Sequence, residues 1–126
     1  MVEHTITGLM LVVAVIHLVP IAGFFGADRL NALYGMEIVD PNLLILMRHR
    51  AVLFGIVGAF FAYAAFVPAL QPVAFVGAFV TISAFFYLAF EADGFSAAIR
   101  KIVVGDVVAA ICLAGAVGLY VLRANG

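Results

Sequence analysis

The sequence predicts an all-α membrane protein, an up-and-down antiparallel bundle of four transmembrane helices forming one domain over residues 1–126. Composition is the first reason: 67% of the residues are hydrophobic and only 10% charged, and the mean hydropathy is +1.29. Soluble domains average about 45–50% apolar and about 25% charged residues. Pattern is the second reason. The apolar residues fall into four runs, roughly 5–25, 43–67, 73–90 and 97–122, each near the ~20 residues that a helix needs to cross about 30 Å of hydrocarbon. None alternates with the period of two expected of barrel strands, so helices are left as the way to satisfy the backbone in lipid. The connections are short apart from 26–42, which favours antiparallel neighbours in chain order.

The same composition excludes other classes. Net charge is −1 and the six Lys and Arg residues are dispersed, which argues against a nucleic-acid partner. Cys112 is the only cysteine and has no intrachain disulfide partner.

Taken in order, the first run follows Met1-Val2-Glu3-His4, which lacks the positive region of a cleaved signal peptide, so it is expected to remain as a mature helix. It carries His17 and, three residues on, Pro20, whose ring should bend the chain just beyond the histidine. The long connection ends in Asp40-Pro41, a carboxylate N-cap followed by a proline suited to the first helical position. That start places Met47-Arg48-His49-Arg50 well inside the second helix. The helix also presents Ala51, Gly55, Gly58, Ala59 and Ala62, small residues that let another helix approach. Pro68 and Pro72 bracket an uncharged turn. The third helix is rich in Phe, with Thr81 and Ser83 as its polar residues, and ends near Tyr87, Phe90 and Glu91. After Ala92-Asp93-Gly94, Ser96 is a suitable N-cap for the fourth helix, which holds Arg100 and Lys101 early, Asp106 further in, and the small residues Gly105, Ala109, Ala114 and Gly118.

Positive charge sets the expected orientation. Arg29, Arg48, Arg50, Arg100 and Lys101 lie toward the side of the first and third connections, against Arg123 alone on the other. Setting Arg48 and Arg50 aside keeps the bias. The positive-inside rule then puts those connections in the cytoplasm of a bacterial inner membrane and both termini in the periplasm.

Depth singles out the candidate site. At 1.5 Å per residue, His17 lies roughly 12 Å before the end of the first helix, Arg50 roughly 13 Å past the start of the second, and Asp106 roughly 13 Å past the start of the fourth. Three polar residues from three helices therefore share one layer, where an ionisable group costs several kcal/mol unless it is paired or wet and is a functional candidate by default. Facing pulls the other way for one of them. Arg48 and Arg50 point about 160° apart on a helix of about 100° per residue; Arg48 shares the small face, whereas Arg50 shares a face with Phe54, Val57 and Phe61. Depth favours Arg50 and facing favours Arg48 with His49, so both arginines stay in the candidate set.

Asp106 is the expected counter-ion of these cations. Two readings follow for the layer of His17, Arg48, His49, Arg50 and Asp106: an internal salt bridge that fixes helix register, or a pocket open to the cytoplasmic side that holds the polar head of an amphipathic or anionic ligand such as a lipid or quinone. His17 and His49, one from each of two helices, also raise a b-type haem, with the arginines on its propionates. Two histidines without a spacing motif are a weak signal for haem, and weaker still for a mononuclear metal site with Asp106 and Met47, since no HxxxH or CxxC occurs. Glu37, Asp40, Glu91 and Asp93 read as solvated or capping acids at the connections.

The strings Asn31-Ala32-Leu33-Tyr34-Gly35, Asp40-Pro41-Asn42-Leu43 and Leu46-Met47-Arg48-His49-Arg50-Ala51-Val52-Leu53-Phe54-Gly55 resemble a group of small bacterial four-helix membrane proteins, and most of the chain is loosely similar to the DoxX-like superfamily. That resemblance implies an accessory or assembly role beside a membrane redox partner, often near a quinone, and supplies no catalytic residues. Similar sequences are sometimes labelled phosphopantetheine adenylyltransferase, a soluble α/β nucleotide-binding family whose Gly-His phosphate motif and parallel-sheet pattern are both missing here.

Overall fold

A computed structural model describes all residues, Met1–Gly126. The chain is helical throughout and forms no strand: α1 (Val2–Leu18) continues as 3-10 turns over Val19–Phe25, a short α2 (Ala27–Tyr34) follows, then α3 (Pro41–Ala64), a 3-10 turn at Pro68–Leu70, α4 (Gln71–Glu91) and α5 (Ala97–Asn125). Four segments are long and apolar enough to cross a membrane, Val2–Phe25, Pro41–Ala64, Pro68–Glu91 and Ala97–Asn125. Their outer faces carry large exposed apolar side chains, among them Val15, Ile56, Val76, Phe79, Val104 and Ile111. Such a surface suits lipid and would be an aggregation liability in water.

Local chemistry explains where each segment begins and ends. Pro20 has no N–H to give to the carbonyl four residues back, and its ring crowds that carbonyl. The first span therefore does not run as one α-helix over residues 5–25 but tightens to 3-10 turns after Leu18. The Asp40 side chain accepts from the Asn42 N–H at 2.8 Å, and Pro41 is the first residue of α3. This helix stops at Ala64, three residues short of the expected end. Val67 precedes Pro68 and is extended, φ −124° and ψ 94°, because the proline ring disfavours α geometry in the residue before it. The Ser96 hydroxyl accepts from the Ile99 N–H at 3.2 Å to start α5, which runs three residues past the expected end at 122.

α1 is the central helix, packed closely against both α3 and α5, while α4 leans on α5 and touches α3 lightly. The first span is thus flanked by the second and the fourth, and side-chain contacts fix their antiparallel sense. Near the start of α1, the Thr7 hydroxyl donates to the Ala65 carbonyl just past the end of α3, at 2.8 Å. Glu3 meets Arg123 from the end of α5 at 3.7 Å. The small face of α3 lies on the first span: a Cβ added at Gly58 would come within 2.7 Å of Leu18 and 3.1 Å of the Ala14 carbonyl. Ile6, Met10, Val13 and Ala14 of α1 join Phe61, Ala64, Phe75, Ala78, Ile82, Ala109 and Ala116 in one continuous buried core.

The long connection is ordered, which the hydropathy pattern did not predict. α2 folds back under the bundle and buries Leu30 and Tyr34, with Ile38 beyond it, against Leu44, Met47, Ile99 and Ile102. Gly35 closes α2 in the left-handed region, φ 64°, with its N–H bonded to the Asn31 carbonyl at 2.9 Å. A side chain there would be strained and would also strike Ala98 at the start of α5. The Asn31 amide oxygen accepts from the Ile38 N–H at 2.9 Å, tying down the remainder of the loop.

Candidate ligand site

Between this α2 plug and the packed core lies a cavity of about 380 Å³. The first span supplies Ile16, His17, Val19 and Pro20; α2 supplies Ala32, Leu33 and Tyr34; α3 supplies Arg50 and Phe54; α4 supplies Thr81 and Phe85; and α5 supplies Ala98, Lys101, Ile102, Gly105 and Asp106. The five α5 residues follow the i, i+3, i+4, i+7, i+8 spacing of one helix face. Position on α3 explains why the cavity is here. Its small face meets the first span too tightly to leave space, whereas the neighbouring face carries Phe54 and Arg50 and looks across to α4, which packs on α3 only lightly.

Arg50 is half-buried, donates from Nη1 to the Tyr34 hydroxyl, and stands 4.5 Å from the Phe54 ring centroid and 5.3 Å from that of Tyr34. Stacked aromatics and one hydroxyl leave most of its five N–H donors free for another acceptor. Asp106 is half-buried and lines the same cavity from α5. It closes no ion pair with Arg50: the ion pair of this chain is Glu3 with Arg123, at the other end of the bundle. The cavity thus offers a cation with spare donors and a carboxylate, from two helices, that are not paired with each other. Lys101 is an exposed residue on the same α5 face.

His17 is 3% exposed. Its Nδ1 lies 2.9 Å from the Val13 carbonyl and its Nε2 lies 2.7 Å from Thr81 Oγ1. Phe54 stacks on the imidazole at 6.1 Å and Phe61 meets it edge-on at 4.9 Å, so both nitrogens and both sides of the ring are held.

Three of the five sequence-derived candidates, His17, Arg50 and Asp106, therefore line one cavity, and they are the three that share a depth. Arg48 and His49 do not. Arg48 is exposed, donates from Nε to the Phe24 carbonyl at 2.8 Å and lies 5.0 Å from the Phe24 ring centroid; it satisfies a carbonyl left free where the first span ends. His49 is exposed. The facing expectation for Arg48 fails because a small-residue face brings helices together and thereby excludes a cavity. With His17 engaged at both nitrogens and His49 outside, the two histidines do not form a haem-ligand pair, and no group of three His, Cys, Asp or Glu side chains is arranged to hold a metal.

Tyr34, Thr81 and Lys101 were not singled out from the sequence as site residues. Lys101 had a readable signal in the α5 spacing. Tyr34 had none, since its position depends on how α2 folds under the bundle. Comparison with family models, curated proteins and solved structures finds no match, so the cavity itself carries the functional reading.

Proposed function

We propose that this integral membrane protein binds the polar head of an amphipathic or anionic ligand, a lipid or a quinone, in the cavity between α2 and the bundle core. The observation that carries the reading is the convergence of Arg50, Asp106 and His17, from three helices, on an apolar-walled space of about 380 Å³. Small-molecule sites typically occupy about 300–1,000 Å³ and combine apolar walls with a few placed polar groups. Arg50 supplies fixed positive charge and paired donors, Asp106 accepts from a hydroxyl or amine on the same head group, and Lys101 draws the ligand toward the mouth. Ile16, Val19, Phe54 and Phe85 receive the adjoining apolar part.

The charge distribution supports a cytoplasmic opening in a bacterial inner membrane, with both termini periplasmic. The cavity lies toward the end of the bundle that holds Arg29, Arg100 and Lys101, and Arg123 lies at the other. An accessory role beside a membrane redox partner is the alternative that the DoxX-like resemblance supplies. Native mass spectrometry separates the two, because a ligand-bearing protein that retains no other subunit favours the cavity reading.

The direct test quantifies lipids and quinones retained per protein after purification. A hydrogen bond to a charged group contributes about 1.5–3 kcal/mol, so Arg50→Gln is expected to lower retention about ten- to hundredfold. Asp106→Asn should lower it as well, and Arg48→Gln should leave it unchanged. Equal retention by the folded Arg50 and wild-type proteins would sink the reading.

A further inference from the structure

We infer that His17 and Thr81 form a proton-accepting pair, so that the cavity takes up one proton together with an anionic head group. The inference rests on the reading of the cavity as an anion-accepting site, and it adds the chemistry of the deepest polar residues there. Its basis is the hydrogen-bond inventory around one ring. The Val13 carbonyl can only accept, so Nδ1, 2.9 Å away, carries a hydrogen in either charge state. The partner of Nε2, Thr81 Oγ1 at 2.7 Å, can donate or accept, and the same oxygen lies 3.0 Å from the Ala78 carbonyl.

This gives two complete arrangements on one set of atoms. With a neutral ring, Thr81 donates its hydrogen to the Nε2 lone pair. With a protonated ring, Nε2–H donates to Oγ1, and the hydroxyl hydrogen turns to the Ala78 carbonyl. No buried donor or acceptor loses its partner in either state, so protonating the ring leaves only the cost of burying its charge. The atoms balance in the transfer itself: Thr81 passes its hydrogen to Nε2 as its oxygen receives one from a donor in the cavity, either a hydrated proton, which leaves water, or the acid form of the ligand, which leaves the anion.

What the pair lacks is a counter-charge. The charged and titratable groups facing the cavity are Tyr34 of α2, Arg50 of α3, and Lys101 and Asp106 of α5; α4 contributes only the Thr81 hydroxyl, and α1 only His17 itself. Two fixed cations against one carboxylate leave no spare negative charge for an imidazolium. An anionic head group held by Arg50 supplies it, so anion and proton bind cooperatively and each favours the other by the same factor. The ligand class is an amphiphile with a single weakly acidic head, such as a fatty carboxylate.

The test uses full-length protein with ¹⁵N-labelled histidine in phosphatidylcholine vesicles, with His4→Gln and His49→Gln so that the imidazole signals belong to His17. Oleate is the probe, and its binding is measured separately by equilibrium dialysis. Nδ1 is expected to remain protonated throughout. At fixed pH near neutrality, saturating oleate should raise the ratio of Nε2-protonated to neutral ring about tenfold, a coupling of ordinary size. Thr81→Ser should keep the rise, and Thr81→Val, close in size but without a hydroxyl, should abolish it.

An Nδ1 without a proton, or a Thr81→Val protein with the full response, overturns the pair. Oleate that binds without changing the Nε2 ratio overturns the coupling and leaves the cavity reading standing. Oleate that does not bind wild-type protein, or binds Arg50→Gln equally well, overturns the coupling and counts against the anion-accepting cavity, while the spectra without oleate still decide the tautomer.

Discussion

The two ends of the bundle are made from the same four helices and are held together differently. At the end near the termini, Ile6, Met10, Ala64, Ala74, Phe75 and Ala116 close into an apolar core, with Thr7 and Gln71 beside it both bonded to the Ala65 carbonyl. At the other end the helices are spaced by Arg50, Phe54 and Phe85, and α2 plugs the gap through Leu30, Tyr34 and Ile38. Lipid is as apolar as a leucine side chain, so neither end is driven together by hydrophobicity alone. Close packing of small residues stabilises the first. A separate element laid across the opening stabilises the second, and the space between is where a ligand fits.

If the halves are distinct in this way, damage to one should spare the other. The largest effect is expected for Phe61→Ala, which removes a ring lying 3% exposed at the centre of the packed core and edge-on to His17. Large-to-small core changes of this kind cost about 3–5 kcal/mol, read as a lowered unfolding midpoint in detergent or by steric trapping in bilayers. Gly58→Ala comes next. Its new methyl must push Leu18 or the α1 backbone aside, with an expected loss of about 1–3 kcal/mol and ligand retention close to wild type. A Gly58→Ala protein of unchanged stability would show that α1 and α3 are not the tightly packed pair described.

At the other end, Asp40→Ala removes the hydrogen bond that caps α3 and should cost about 1 kcal/mol. Faster amide exchange in residues 41–44 would report it, with the packed core unaffected. The smallest change is expected for Arg123→Gln. Its partner Glu3 is mostly exposed and 3.7 Å away, and surface ion pairs of that kind contribute about 0–1 kcal/mol. A larger loss on removing Arg123 than on removing Gly58 packing would reverse the comparison.

Much of this organisation was legible residue by residue. Asp40 with Pro41, Ser96, and the proline at position 20 act on their own few neighbours, and each did what its local chemistry required. The shared depth of His17, Arg50 and Asp106 was also readable, because rise per residue converts sequence distance into position along an axis. Direction around the axis was harder. Arg48 and Arg50 could be shown to oppose one another, but choosing between them needs the partner helices, since the small face of α3 marks a tight interface and the cavity opens on the bulky side. Thr81 illustrates the same limit: one hydroxyl in a Phe-rich helix has no distinguishing pattern until His17 Nε2 is found 2.7 Å from it.

What the sequence determined by itself was therefore the bundle: four apolar spans, their caps, their antiparallel order and the layer where charge sits. These depend on interactions within a few residues and on the solvation of the backbone in lipid, both of which act along the chain. Only the tertiary structure decided that α2 turns under the bundle, that Arg50 rather than Arg48 faces the interior, that Asp106 lines the same cavity without closing an ion pair with it, and that His17 shares a hydrogen bond with Thr81. Each of these depends on which faces meet, and helix packing settles that through side chains far apart in sequence.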